Sequence, residues 1–256
     1  MIIRFLGTHN QASQDKRLIS LLIDYILVVD AGNIVADLSF DEQRRIRAIL
    51  LSHGHYDHIR DIPAYAFNNT VRTTSVYATP YTLEFLSSHL ADGLIYPKFT
   101  EKYGYVDRQV LQFCPLEHYI SQDIEGYRVT AVPVNHPLQA VGFEITSPKG
   151  KKVFYTGDTG PGLAAAWQHV SPDYLIIEVT LPNRLSEQAK ASSHLCPDTL
   201  KQELLEFRKT KGYLPPTCLV HMSPEYEKEI IKEAAAVSRE LRIPIRAMAE
   251  GDKLSI

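Results

Sequence analysis

The sequence lacks what would send a chain into a membrane, an oxidising compartment or a nucleic-acid groove. No apolar stretch approaches the ~20 residues needed to cross a bilayer. Met1–Gly7 is too short and too interrupted for a secretory signal and reads as a first strand. Cysteine is scarce: Cys114, Cys196 and Cys218 are odd in number and unpaired in spacing, which argues against a disulfide framework and for a reducing, cytoplasmic compartment. Basic runs are absent and the net charge is −3, so nucleic acid is not an expected partner. What is left, 256 residues of which 45% are hydrophobic and 22% charged, suits a globular domain with one large core.

Against that background one stretch stands out, Leu51-Ser52-His53-Gly54-His55-Tyr56-Asp57-His58. It follows the apolar run Ala48-Ile49-Leu50-Leu51, which reads as a buried strand, and from Asp57 onward the pattern reads as the first turn of a helix. His53 and His55, two apart in extended chain, project to the same side. Gly54 is expected to let the backbone bend sharply between them. Asp57 and His58 leave after a change of direction, towards a second centre. Neutral imidazole and carboxylate are ligands for Zn²⁺ and similar first-row metals, so the stretch predicts a metal site rather than a solvated His-rich loop.

His53-x-His55-x-Asp57-His58 resembles the signature of the metallo-β-lactamase superfamily, whose members are mostly dinuclear metallohydrolases. Four further elements of that pattern follow in order: Asp30 after Val28-Val29, His136 after Val132-Pro133-Val134-Asn135, Asp158 in Phe154-Tyr155-Thr156-Gly157-Asp158, and His221 after Leu219-Val220. The resemblance implies an α/β fold, the four-layer αββα sandwich, over a single domain of residues 1–256. It also implies one metal on His53, His55 and His136, a second on Asp57, His58 and His221, and Asp158 bridging both. Asp30 would accept from a ligand imidazole and fix its tautomer. The two divalent cations, Zn²⁺ first with Mn²⁺ or Fe as alternatives, would hold a bridging water as hydroxide at neutral pH. Asp57 would in addition take up its proton.

A phosphodiester so attacked leaves an oxygen that needs a proton. His194 lies between a loop and a helix start, and locally it reads either as a surface His capping that helix or, folded back against Glu178, as a positioned general acid. Leu181-Pro182-Asn183-Arg184-Leu185 through Ser192-Ser193-His194-Leu195, with Ile95-Tyr96-Pro97-Lys98-Phe99-Thr100, is similar to the class II 3′,5′-cyclic nucleotide phosphodiesterases. It is similar also to tRNase Z, where an acidic–His pair at matching positions assists phosphodiester cleavage. The tRNase Z pattern departs at Ile177, where its His-Glu-Ala-Thr motif has His, and no Gly- and basic-rich insert is present to reach a tRNA elbow. The resemblance therefore implies a hydrolase of a cyclic nucleotide or similar small phosphodiester. RNA 3′ processing, thioester or lactone hydrolysis, and di-iron redox or oxygen binding are the alternatives, and a homodimer is the expected assembly.

Between Asp61 and about His118 aromatic residues crowd in and alternation weakens, so 61–118 reads as a cap. Tyr65, Phe67, Tyr96 and Phe99 are candidates to stack a nucleobase at the mouth of the site, although packing is the commoner use of such side chains. Lys98 and Arg184 are candidate phosphate contacts, with solvated surface charge as the alternative. His9 is a candidate to face the site, whereas His89, His118, His169 and Cys196 carry no partner pattern. Helices are expected over 41–47, 79–90, 162–168, 197–210 and 224–241. Strands are expected over 2–6, 18–23, 26–29, 48–51, 127–134, 140–146, 151–155, 174–178, 217–221, 245–248 and 253–256.

Overall fold

Short strands with both faces apolar organise the chain, seen here in a computed structural model that describes every residue except 103 and 105. Tyr103 and Tyr105, two aromatics of the 61–118 segment, lie outside the described residues. The first half runs β1 (Ile2–Gly7), β2 (Ser20–Ile23), β3 (Leu27–Val29), α1 (Phe40–Gln43), β4 (Ala48–Leu50), α2 (Tyr56–Ile59), α3 (Ile62–Asn68), β5 (Thr74–Ala78), α4 (Pro80–His89) and β6 (Leu111–Pro115). The second runs β7 (Ser121–Ile124), β8 (Tyr127–Pro133), β9 (Val141–Thr146), β10 (Lys152–Tyr155), α5 (Ala164–His169), β11 (Tyr174–Glu178), α6 (Ser186–Ala191), α7 (Pro197–Lys211), β12 (Thr217–Val220), α8 (Glu227–Leu241), β13 (Ile245–Ala247) and β14 (Lys253–Ser255).

The strands form two seven-stranded sheets, ordered β14-β1-β2-β3-β4-β5-β6 and β13-β12-β11-β10-β9-β8-β7. Each starts as an antiparallel meander and continues in parallel strands, and β14 crosses back to pair with β1. Successive side chains alternate between faces. Leu21, Val29 and Leu50 therefore meet Phe143, Tyr155, Ile176 and Val220 between the sheets. Their neighbours Leu22, Val28 and Ile49 pack outward on Tyr65, Leu83 and Leu86 of α3 and α4. On the far side Phe154, Ile177 and Leu219 pack on Trp167, Leu204, Phe207 and Ile230 of α5, α7 and α8. The result is the four-layer αββα sandwich. No described helix is long and apolar enough to cross a membrane.

The departures from sequence expectation are local. Strands β5 and β6 lie inside 61–118, where no strand was expected. Tyr65 and Phe99 are fully buried packing residues, and Phe67 faces solvent. The helix expected from Asp57 stops at Ile59 and restarts at Ile62, because Pro63 cannot donate and the Asp61 carboxylate is occupied, accepting from the Ile34 and Val35 N–H groups. Helix α7 starts on Pro197 and stops at left-handed Gly212, the expected asymmetry.

His9 is buried away from the cluster described below. Its Nδ1 lies 2.7 Å from Glu250 Oε1, which also accepts from the Arg17 N–H at 3.0 Å, so this pair pins the loop after β1 to the turn after β13. Burial alone would raise the Glu250 carboxyl, but the His9 and Arg17 hydrogen bonds hold it down at about 2 against an ordinary 4.5. A depressed acid contributes stability that is complete above its unfolded value and is lost as pH falls through the folded one. Stability measured by denaturant titration should thus fall between pH 4.5 and 2, and Glu250→Gln should flatten that part of the profile.

Candidate metal centre

Every candidate side chain but His194, which lies between α6 and α7, leaves one common edge at or just past the end of a strand. Asp30 follows β3, His53 to His58 follow β4, His136 follows β8, Asp158 follows β10, Glu178 ends β11 and His221 follows β12. The turns that aim them are strained in places: Asp30 and His221 both take left-handed φ, 55° and 62°. For non-glycine residues this costs about 1–3 kcal/mol each. His221 is held there by its N–H, which donates to the Thr8 carbonyl at 2.6 Å.

Asp30 is held by its carboxylate. Oδ1 accepts from the Ser52 N–H at 2.8 Å, and Oδ2 accepts from the Ser52 hydroxyl at 2.8 Å and the Tyr155 hydroxyl at 2.6 Å, with His58 Nδ1 at 2.7 Å. A carboxylate only accepts, so His58 Nδ1 carries a proton and its Nε2 is left to face the cluster. Ser52 gives its proton to Asp30, so the His53 Nδ1–H, 3.1 Å away, donates to the Ser52 oxygen and His53 Nε2 is likewise freed. A second relay mirrors the first. Thr180 Oγ1 donates to Glu178 at 2.8 Å and accepts from His221 Nδ1 at 2.9 Å, which frees His221 Nε2.

The freed nitrogens converge. His55 Nδ1 lies 3.0 Å from His53 Nε2 and 3.1 Å from His136 Nε2, more contacts than one ring nitrogen with at most one proton can satisfy as hydrogen bonds. Two atoms of the adjoining group, His58 Nε2 and Asp158 Oδ1, are buried 3.1 Å apart with no other hydrogen-bond partner. His53, His55, His136 and Asp158 have ligand atoms all within 4.8 Å of one another, and so do Asp57, His58, Asp158 and His221. Such donor sets fit divalent cations of the Zn²⁺, Mn²⁺ or Fe kind.

Electrostatics divide the cluster. Burial holds His53 well below the usual imidazole range, lowers His55, and takes His136 to about 4, so these three are neutral, the form that binds a metal. Asp57 and Asp158 are pulled down against burial, to about 2 for Asp57 by His58 and His221, and well below the carboxylate range for Asp158 by His221 and His58. His58 is raised against burial by Asp158, Asp30 and Asp57, the same negative field that would hold a cation.

The structure also brings Glu178 and His194 together. Fully buried Glu178 accepts from the Thr159 and Leu195 N–H groups, and its Oε1 lies 2.6 Å from His194 Nδ1. Against burial, Glu178 raises His194 to about 9. The His194 ring stacks at 5.4 Å on His221 and sits 5.6 Å from His136, so it borders both halves of the cluster. His194 is thus folded back against Glu178, not left on the surface at the start of α7.

A cavity of ≈ 590 Å³ opens over the cluster, lined among others by Asn10, Tyr56, Asp57, Arg60 and His194. None of Tyr65, Phe67, Tyr96, Phe99, Lys98 and Arg184 lines it, and Arg184 pairs with Glu229 instead. His118 and His169 also lie elsewhere, the first bridged to Ala131 and the second packed at a tilt against Tyr119. Buried Cys196 precedes α7. Sequence reasoning missed the two relay hydroxyls, Ser52 and Thr180, and the lining residues Tyr56 and Arg60. The only available signal was adjacency, Ser52 beside His53 and Thr180 two residues past Glu178. Gly54 has no left-handed φ; it makes room, since a Cβ there would lie 2.8 Å from Phe85 Cδ1. Gly157 does need its freedom, with φ of 61° and Ser52 Cβ 2.9 Å from where its Cβ would be.

Residues 27–245 match the family described as Beta-lactamase superfamily domain. Ribonuclease J 1 of Streptococcus pyogenes is 26% identical over 150 residues, 53% of this chain but 24% of that protein, so the chain spans less than a quarter of this relative. Among solved structures, unliganded yeast PDE1 superposes with a TM-score of 0.84 at 14% identity, covering 100% of this chain and 99% of the other. YhfI, a metallo-beta-lactamase fold protein of Bacillus subtilis, gives 0.78 at 17% over 99% of each chain. Human tRNase Z, short form, gives 0.73 at 19% over 100% and 99%. Strand order, the convergent His/Asp cluster and the family match agree: the chain belongs to the metallo-β-lactamase superfamily, as a hydrolase of the metal-dependent kind.

Proposed function

We propose that the protein is a dinuclear phosphodiesterase acting on a cyclic nucleotide or a similar small phosphodiester. The observation that carries this reading is the Glu178–His194 pair at the border of the cluster, a proton donor placed where an alkoxide would leave. His53, His55 and His136 would hold one cation, Asp57, His58 and His221 the other, and Asp158 both. Asp30, with Ser52, fixes the tautomers of His58 and His53. When bound, the cations supply Lewis acidity to the phosphoryl oxygens and lower the pKa of water to ~7.

The chain's own groups do the rest. Asp57 lines the cavity as an ionised carboxylate and accepts a proton from the attacking water. His194 passes its Nε2 proton to the leaving oxygen while Glu178 keeps the ring in place. Arg60, the one guanidinium or ammonium group among the described lining residues, has its Nε fixed 3.0 Å from Asp61 Oδ1 and meets the charge of an anionic substrate. A ribonuclease reading draws on the Streptococcus relative, but Ile177 and the lone lining Arg60 favour a small diester.

Protein of measured metal content, assayed on 3′,5′-cyclic AMP and GMP, bis-p-nitrophenyl phosphate, a thioester and a precursor tRNA, should turn over the small phosphodiesters and leave the thioester and the tRNA. Failure to cleave bis-p-nitrophenyl phosphate and both cyclic nucleotides with both cations bound would sink the proposal. His194→Ala should keep its metals yet lose about 10²- to 10⁴-fold in kcat on alkoxide leaving groups. p-Nitrophenyl esters, which need no proton, should lose much less, and equal losses on both would remove His194 as the acid. Asp158→Ala should fall from two bound cations to one or none by metal analysis; unchanged content would take it off the bridge.

A further inference from the structure

A second, smaller cavity of ≈ 220 Å³ adjoins the first, lined by Gly54, His55, Tyr56, Ile59, Phe85, His89 and Leu90. His55 and Tyr56 line both, so the two lie side by side at the metal cluster. Their chemistry differs. The large cavity presents Asp57, Arg60 and the imidazoles, whereas the small one is walled by aliphatic and aromatic side chains. Phe85 and His89 of α4 lie ring on ring, centroids 4.6 Å apart and 13° from parallel. The His89 ring is anchored through Nδ1, 2.9 Å from Ser88 Oγ and 3.1 Å from the Phe85 carbonyl oxygen. Tyr56, 63% exposed, stands at the junction.

We propose that this pocket is the subsite for a planar, uncharged ring, of nucleobase size, carried by the alcohol part of the phosphodiester as a base is carried by the sugar of a nucleotide. The inference rests on the phosphodiesterase reading above and specifies its substrate as a diester with one anionic and one flat apolar end. The volume is below the ~300 Å³ at which pockets for whole drug-sized ligands begin, so it suits a fragment whose charged remainder lies elsewhere. The shared walls, His55 and Tyr56, put that remainder on the side of the cluster. A flat, anchored aromatic pair stacks any base face and selects shape more than hydrogen-bond pattern. The occupied residues are thus Tyr56, Phe85 and His89, not the aromatics at 65, 67, 96 and 99.

The test compares two esters with the same p-nitrophenolate leaving group, thymidine 5′-p-nitrophenyl phosphate and methyl p-nitrophenyl phosphate, on zinc-loaded protein. Base stacking predicts a kcat/KM preference for the thymidine ester of about 5- to 150-fold. His89→Ala, at an exposed helix end, should cut that ratio by about 5-fold or more, chiefly through KM, and His89→Phe, which restores a ring, should recover it. Absence of a preference, or a ratio unmoved by His89→Ala, would overturn the proposal. Should neither ester be hydrolysed, the phosphodiesterase reading fails but the pocket is still decided by NMR. In that case thymidine 5′-monophosphate shifting the His89 ring C–H signals more than methyl phosphate supports the subsite, and equal or absent shifts overturn it.

Discussion

The site hangs on the carboxylate of Asp30. Four groups converge on its two oxygens: the Ser52 N–H and hydroxyl, the Tyr155 hydroxyl and the His58 ring. Tyr155 belongs to the second sheet and Asp30 to the first, so this buried charge fastens the two layers at the edge where the ligand loops emerge. It also holds Asp30 in a left-handed backbone conformation that would otherwise relax. Removing one partner from such a buried, multiply bonded charge leaves the others unsatisfied, which costs more than the single bond lost.

From Asp30 the protonation pattern propagates outward. His58 is fixed directly and His53 through the Ser52 hydroxyl, while Glu178 fixes His194 directly and His221 through the Thr180 hydroxyl. Each sheet thus contributes one buried carboxylate that orients one imidazole by contact and a second by relay. Asp30 and Glu178 differ in consequence because their directly bound rings face different surroundings. His58 looks onto Asp158 and Asp57, a negative environment suited to a cation, whereas His194 borders the cavity, where a proton can be handed on. One device, used twice, leaves one ring facing the cluster and one facing the cavity.

The ligands were legible in the sequence because they sit where two independent patterns coincide, an apolar run ending and a His or Asp following. Ile49-Leu50-Leu51 before His53, Phe154-Tyr155 before Asp158 and Leu219-Val220 before His221 show it, since strands buried on both faces read as continuous apolar runs. The strands β5 and β6 were not legible, because Thr74–Ala78 and Leu111–Pro115 mix polar, aromatic and proline residues without a long apolar run. The relays were hidden for another reason: Ser52 and Thr180 are ordinary residues whose roles arise only when chain 22 residues away or more is brought alongside. His9, expected near the site, went instead to a carboxylate pair behind it, which no local pattern distinguishes.

The same logic explains why the substrate side is least predictable from sequence. Metal ligands are positioned by backbone at strand ends, and sheet register carries them to one edge whatever the neighbouring side chains are. The apolar subsite is made by side-chain packing alone, where α4 meets the turn after β4. Gly54 joins the two regimes. It lacks a Cβ so that Phe85 can press against the chain between His53 and His55, and the ring that walls the subsite therefore also limits how far that ligand turn can move.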